Sequence, residues 1–138
     1  MRFWDTSAVV PLLVGQETSA HALDLLGSDQ DIVVWWGTVV ESWSALARLR
    51  RNRFIDAATE SEAATQLEAL TAAWHEVTPS RAVRKHAHRL LRSYELRAAD
   101  ALQLAAALVW AGDAAGSEFV TFDARLTEAG RMEGFSLV

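Results

Sequence analysis

Residues 1–14 have the sequence MRFWDTSAVVPLLV, whose character changes at Asp5. The apolar residues before Asp5 predict a short buried strand, and the residues after it predict a helix over 6–14. Thr6 or Ser7 can cap that helix, because a hydroxyl oxygen accepts hydrogen bonds from the free N–H groups of a first turn. The chain therefore opens with a strand, an acid and a helix, which is the first unit of an alternating pattern.

The same alternation continues through the rest of the chain. Further short apolar runs predict strands at Ile32–Trp35, 118–122 and 135–138. Helical periodicity predicts helices at 17–26, Thr38–Arg51, 63–74, 79–94, Ala98–Ala111 and Ala124–Met132. Strands separated by helices imply parallel crossovers, so we expect a three-layer α/β/α sandwich whose mostly parallel sheet has about four to five strands. No linker-like segment interrupts the pattern, and we expect residues 1–138 to form a single domain.

Two local signals refine the predicted helix starts. Thr59 and Glu62 have the spacing of a capping box ahead of the fourth helix. Pro79 is tolerated in a first turn, so the fifth helix is predicted to begin there.

Composition excludes several classes of protein. The chain has 138 residues, of which 51% are hydrophobic, and this is enough for a substantial core. Cysteine is absent, which excludes disulfides, thiolate zinc sites and a cysteine nucleophile. The longest apolar run, 7–14, is too short to span a bilayer and contains Pro11. We therefore expect a cytoplasmic protein without a secretory leader or a membrane partner.

The charge of the chain is acidic, but its bases are of one kind. The net charge of −5 argues against a generic nucleic-acid coat, which would be basic. Of the 13 basic residues only Lys85 is not arginine, and arginine suits bidentate contact with phosphate.

Four acids occupy positions where burial should exclude them. Asp5 and Asp123 follow apolar strands, and the carboxyl ends of parallel strands are where such sheets bind ligands. Asp100 shares a helix side with Leu104 and other apolar residues, and Glu41 lies on the apolar side of Thr38–Arg51. Each acid alone also has a structural explanation: a helix cap for the two strand-end acids, a dipole-stabilising acid for Asp100, and an exposed ion pair with Arg48 for Glu41.

Together the four acids indicate a metal site. Carboxylates packed at one edge of a sheet repel one another, and some would stay protonated without a cation. Mg²⁺ and Mn²⁺ prefer oxygen ligands, and Mg²⁺ keeps several of its waters. Metal-dependent phosphoryl transfer uses such sites.

Four segments in order carry a family resemblance: MRFWDTSAVVPLL (1–13), VVESWSALARL (39–49), RAADALQLAAAL (97–108) and EFVTFDARLTEAG (118–130). The chain resembles PIN-domain ribonucleases, and most of all the toxins of VapBC toxin–antitoxin pairs. The resemblance spans essentially the whole chain and implies a PIN-like fold.

The resemblance implies a Mg²⁺- or Mn²⁺-dependent endoribonuclease with RNA as its substrate. The acidic metal cluster of the family maps onto Asp5, Glu41, Asp100 and Asp123. The hydroxyl residues that position water or substrate map onto Thr6, Ser7 and Thr121. The resemblance also implies a cognate antitoxin protein and a homodimer as partners. We expect a basic segment of that antitoxin to compete with metal or substrate at the acidic pocket.

Basic and aromatic residues suggest where these partners bind. The candidate RNA contacts are Arg48, Arg51, Arg81, Lys85 and Arg92, although a solvated helix face and a helix C-terminus also explain them. Trp35 and Trp36 are adjacent in a strand and cannot share one side, so one of them is a candidate for an interface with the antitoxin or a second subunit.

Other functions fit less well. A dehalogenase-like phosphatase would need an acid two residues after Asp5, where Ser7 stands, and a receiver domain would need a lysine at a late strand end. The remaining alternative is a non-catalytic PIN fold that binds RNA or protein.

Overall fold

The computed structural model describes all 138 residues and contains five strands and seven helices. Their order along the chain is β1 (Arg2–Trp4), α1 (Thr6–Leu13), α2 (Ser19–Ser28), β2 (Ile32–Trp35), α3 (Thr38–Arg51), α4 (Ala57–Thr71), β3 (His75–Val77), α5 (Arg81–Ser93), α6 (Ala98–Ala111), β4 (Glu118–Val120), α7 (Ala124–Met132) and β5 (Ser136–Leu137). The predicted alternation of short strands and longer helices is confirmed. No helix combines the length and the apolarity needed to cross a bilayer.

The five strands are all parallel and lie in the order β3-β2-β1-β4-β5. The chain leaves β1 towards one edge of the sheet and returns after β3 to the other side of β1. In register, Phe3 pairs with both Val33 and Phe119. The carboxyl ends of β1 and β4 are therefore adjacent at the point where the strand order reverses, which is where open parallel sheets bind ligands.

Helices cover both faces of the sheet, because alternate residues of a strand point to opposite faces. Phe3 and Phe119 are fully buried in the core against α5, α6 and α7. Trp4 and Val120, which follow them, are fully buried in the core on the other face, against α1 to α4. The predicted three-layer α/β/α sandwich is thus confirmed, with a sheet that is entirely parallel.

Strand β3 was not predicted, because its sequence lacks a strand pattern. His75 and Glu76 are exposed, and β3 pairs only with β2 at the edge of the sheet. An edge strand that faces solvent needs no apolar run, so hydrophobic periodicity does not detect it. The helix predicted to continue to residue 74 ends at Thr71 instead.

The starts of two helices differ from the prediction. α4 begins at Ala57 with Asp56 as its cap, since Asp56 Oδ1 accepts a hydrogen bond from Thr59 N (2.8 Å). Thr59 is therefore not the cap. α5 is capped by Ser80, whose hydroxyl accepts from Val83 N (3.2 Å), and Pro79 precedes the helix. In both cases the residue that caps the helix has an extended backbone and lies one to three positions from the predicted one.

Candidate metal and RNA site

A cavity of about 560 Å³ opens at the carboxyl ends of β1 and β4. Asp5, Glu41, Asp100 and Asp123 all line it. They come from four places in the chain: the β1–α1 junction, the first turn of α3, the first turn of α6 and the β4–α7 junction. The fold therefore brings the four sequence-predicted acids to one site.

Asp5 is held inside the protein by the residue two positions after it. Only 4% of Asp5 is exposed, and it caps α1. Its Oδ2 accepts from Ser7 N (3.0 Å) and its Oδ1 accepts from the Ser7 hydroxyl (2.7 Å). Burial raises the pKa of Asp5 to about 6, and the negative charge of Asp123 adds to the rise, although hydrogen bonds from Ser7 and Thr121 oppose it.

Asp123 combines a capping role with a place at the cavity. Its Oδ1 accepts from Arg125 N and Leu126 N (both 2.9 Å), so that it caps α7. Both bonds go to Oδ1, and they fix the carboxylate at the end of β4, where Asp123 lines the cavity. The structural explanation for this acid is therefore correct, and it is compatible with a role in the site.

Ser7 and Thr121 tie the ends of the two central strands together. The Ser7 hydroxyl accepts a hydrogen bond from Phe122 N (2.8 Å) while it donates to Asp5. The Thr121 hydroxyl lies 3.4 Å from that of Ser7 and accepts from Asp123 N (3.1 Å). These hydroxyls thus hold the two strand-end carboxylates in position.

Glu41 is held by a small hydrogen-bond network. Its Oε2 accepts from the Thr6 hydroxyl (2.8 Å) and from Gln103 Nε2 (3.0 Å). Burial raises the pKa of Glu41, the two hydrogen bonds lower it, and repulsion from Asp100 raises it. The proposed exposed pair with Arg48 is absent from the ion pairs of the structure.

Gln103 is one residue of the candidate site that the sequence does not predict. It is 1% exposed, and its Nε2 also contacts the hydroxyls of Thr6 (2.8 Å) and Thr38 (3.1 Å). Its Oε1 is buried without a hydrogen-bond partner. The available signal was a lone amide in the otherwise apolar run ALQLAAAL, three positions after Asp100 on the same side of α6.

Asp100 lies at the start of α6, where its Oδ2 accepts from Arg97 N (3.1 Å). The interaction satisfies one free N–H of the helix start and fixes the orientation of the side chain. Arg97 also lines the cavity, and it was not predicted either. An arginine beside the acids gives this wall a positive charge that suits a phosphate.

The donor chemistry of the cavity fits a hard divalent cation. All four acids offer oxygen ligands. The charge of Asp123 raises the pKa of Asp5, and the charge of Asp100 raises the pKa of Glu41, so the acids interact in two pairs. The structure contains no group of three or more acidic or histidine side chains close enough to hold a single ion. Mg²⁺ needs only one or two direct carboxylates when water fills its other positions, so this arrangement of acids is compatible with such an ion.

Comparison with known families decides the identity of the fold. The PIN domain family matches residues 2–132. The chain belongs to the PIN-domain family. No curated protein sequence matches the chain.

Solved structures share the fold of this PIN domain at low sequence identity. The sarcin–ricin-loop-cleaving toxin VapC20 of Mycobacterium tuberculosis superposes with a TM-score of 0.70 at 19% identity, over 94% of this chain and 95% of the other. FitAcB from Neisseria gonorrhoeae gives 0.68 at 17% identity, over 99% and 96%. A toxin–antitoxin complex from Klebsiella pneumoniae gives 0.59 at 15% identity, over 89% and 87%.

The predicted RNA contacts of the PIN domain divide into two groups. Arg48 lines the acidic cavity, and Arg51 is exposed near the end of the same helix. Arg81, Lys85 and Arg92 are exposed on α5, and none of them lines the cavity. α5 packs against α6 in the other helical layer.

The two adjacent tryptophans also separate. Trp35 is buried, whereas Trp36 is 52% exposed. Val40 and Trp43 are exposed to a similar degree and follow at helical spacing. These three residues, here called the α3 apolar stripe, lie beside the wall of the cavity that Glu41 and Arg48 form.

Proposed function

We propose that this PIN domain, acting as a single domain over residues 1–138 in the cytoplasm, is a metal-dependent endoribonuclease and the toxin of a toxin–antitoxin pair. The observation that supports this most is the convergence of four carboxylates on one open cavity at the topological switch point. The likeness of the fold to VapC20, a toxin that cleaves the sarcin–ricin loop, supports the choice of RNA.

Asp5, Glu41, Asp100 and Asp123 would hold Mg²⁺ or Mn²⁺. When bound, the cation supplies an activated water and neutralises the charge that develops on the phosphodiester. Ser7 fixes Asp5, and Thr6 with Gln103 fixes Glu41, so that the ligands need no rearrangement. Thr6 and Ser7 also place hydroxyls at the cavity wall that would position water or substrate. Thr121 does not line the cavity and would act by holding Asp123 in place.

Arg48 and Arg97 would guide the RNA backbone into the acidic cavity. Both line it, and each guanidinium offers donors that match a phosphate. Without them the carboxylates would repel the polyanion. Arg51 extends this surface along α3, and Arg81, Lys85 and Arg92 offer a further basic face on α5 for longer RNA.

The first test is cleavage of total RNA by the purified protein in Mg²⁺, in Mn²⁺ and in excess EDTA. We expect defined fragments with either metal, none in EDTA, and recovery when metal is restored. A protein that cleaves in no condition, and whose melting temperature no divalent metal changes, would instead be the non-catalytic PIN module.

We also propose that the α3 apolar stripe binds a protein partner, either the antitoxin or a second subunit of a homodimer. Exposed tryptophans are enriched where interfaces concentrate their binding energy. The neighbouring acidic cavity suits a basic antitoxin segment that competes with RNA. Light scattering gives the molar mass of the wild type and of a Trp36→Ser/Trp43→Ser double variant. If the wild type is a dimer and the variant a monomer, the partner of the stripe is the second subunit; if both are dimers, it is the antitoxin.

A further inference from the structure

A second cavity, of about 610 Å³, lies next to the acidic one at the other end of α3. Gly15 and Arg50 line this second cavity, while the adjacent residues Gln16 and Leu49 line the first. Because an α-helix rises about 1.5 Å per residue, Arg53 lies about 18 Å from Glu41 along the axis of α3. The linings of the two cavities thus reach adjacent residues of α3, with the carboxylates towards the start of the helix and Arg53 beyond its end.

The turn that ends α3 has an unusual residue at the position where glycine is normally found. Arg53 N donates to Arg50 O (3.1 Å) and Phe54 N donates to Leu49 O (2.9 Å), which is the hydrogen-bond pattern of a Schellman motif. The residue between the helix and Phe54 has φ +61°, where glycine is normally found. This chain instead has Arg53 there, and Arg53 lines the second cavity.

Phe54 departs from the motif as well. The residue at its position usually packs its apolar side chain back on the helix. Phe54 is 76% exposed, more than any other large hydrophobic residue of the protein, and it lines the second cavity beside Arg53. A solvent-exposed aromatic ring next to arginine is the combination with which proteins bind single-stranded nucleic acid.

The charges of the second cavity favour a phosphate near Arg53. Arg50 is paired with Glu60 (3.2 Å), and both side chains are substantially exposed. Asp56 also lines the cavity, but Thr59 N occupies its Oδ1 as part of the α4 cap. Arg53 forms no ion pair, so its guanidinium is the one available to an incoming anion.

We propose that the second cavity is a subsite for single-stranded RNA, in which Phe54 stacks on one base and Arg53 contacts the adjoining phosphate. This proposal rests on the proposed ribonuclease function. The subsite sets a fixed distance between the stacked base and the phosphate at the carboxylates. The preferred substrate is therefore an RNA whose strand is unpaired from the cleaved bond to that base.

The test combines a protein variant with a matched change in the RNA. Affinity for a labelled single-stranded RNA is measured in EDTA, so that cleavage does not enter, while each base is replaced in turn by an abasic nucleotide. We expect the wild type to lose affinity about 5-fold or more at one position. Phe54→Ala should bind the intact RNA more weakly by a similar factor. Its affinity should not fall further when the base at that position is removed. Met132→Ala, at another exposed apolar residue, is the control.

A second variant separates binding from folding. Arg53→Gly removes the guanidinium. It also puts glycine, which adopts a positive φ readily, at this turn, so the variant should fold at least as well as the wild type. We expect it to bind RNA more weakly and to reduce the salt dependence of binding by about one phosphate contact.

The two proposals fail in different ways. Cleavage of RNA together with wild-type affinity in Phe54→Ala overturns the subsite alone, and leaves Phe54 as a contact for a protein. The subsite is also overturned if each abasic substitution lowers the affinity of the wild type and of Phe54→Ala by the same factor. Absence of any RNA binding or cleavage by the wild type overturns the ribonuclease function and the subsite with it.

Discussion

Asp5 is a carboxylate whose burial destabilises the folded protein at neutral pH. Its pKa of about 6 lies above the value of 3.8 for an exposed aspartate. A raised folded-state pKa contributes stability that is fully present below pH 3.8 and is lost as the pH rises through about 6. The difference amounts to at most about 3 kcal/mol. A bound cation would offset it, which is why such an acid is expected at a metal site.

Asp5→Asn should therefore stabilise the metal-free protein at neutral pH. The amide can accept from Ser7 N and has no charge to desolvate. We expect the free energy of unfolding of the variant to exceed that of the wild type at pH 7.5 and to approach it at pH 4. Urea denaturation in EDTA at the two pH values measures this. An equal difference at both would show that the charge of Asp5 is not the cause.

Gln103 should matter to activity more than to stability. Gln103→Leu removes a hydrogen bond that lowers the pKa of Glu41, so that pKa should rise further. It also removes the unpartnered Oε1 from the core, whose burial is unfavourable. We expect the acid limb of the pH–rate profile for RNA cleavage to move to higher pH, with a rate loss of about 10-fold at neutral pH.

Gln66→Leu, at an exposed glutamine of α4, is the matched control and should leave the profile unchanged. If Gln103→Leu lost activity only because part of the protein unfolded, the rate would fall equally at every pH, whereas we expect the acid limb of the profile itself to move.

At the scale of elements, α5 and the end of α7 are joined by a compact polar contact. Arg89 forms two hydrogen bonds with Glu133, at 2.9 and 2.5 Å, and the Tyr94 hydroxyl donates to Glu133 Oε1 (2.8 Å). The hydrogen bond from Arg89 is the main cause that lowers the pKa of Glu133. The stability it contributes is present above the ordinary glutamate pKa and is lost as the pH falls through the lowered value.

Arg89→Met should destabilise the fold by about 1–3 kcal/mol at pH 7 and by less at pH 3, with RNA cleavage unaffected. Arg131→Met, which removes an exposed 3.6 Å pair with Glu128, is the control and should change little. Chemical denaturation at both pH values measures the difference. A loss that is as large at pH 3 would contradict the contribution of the ion pair.

The elements that the sequence predicts are those with a buried side. β1, β2, β4 and the long α6 have apolar runs or periodicity, and Ala98–Ala111 is predicted to the residue. β3 is missed because His75 and Glu76 face solvent. The four acids are recognisable as apolar-context carboxylates, whereas Gln103, Arg97 and Phe54 take their significance from neighbours that are distant in sequence and so are seen only in the folded chain.

At the scale of the whole molecule, the strand order concentrates acidic charge at one edge of the sheet. β1 and β4 are neighbours although 113 residues, 5–117, separate the end of β1 from the start of β4, and α3 and α6 each place one acid over the same cavity. The helical layers then hold this arrangement from both faces. A cation bound at this cavity would therefore stabilise the fold as a whole.

Mn²⁺ should raise the melting temperature of the wild type. A ligand at 100 times its Kd stabilises by about 2.7 kcal/mol, which corresponds to several degrees for a domain of this size. Asp5→Asn should begin at a higher melting temperature and gain little from the metal. Differential scanning calorimetry with Mn²⁺ and with EDTA gives both values. Equal metal-induced shifts in the two proteins would place the cation elsewhere.

The most direct test of the proposed site is the RNA cleavage rate of Asp100→Asn beside that of Asp113→Asn. The asparagine at 100 can still accept from Arg97 N, so the fold is retained while one cavity charge is removed. Asp113 lies in the loop before β4 and does not line the cavity. We predict that Asp100→Asn loses at least about 10–100-fold in rate in Mg²⁺, and that Asp113→Asn cleaves as the wild type does. Wild-type cleavage by Asp100→Asn would contradict the account.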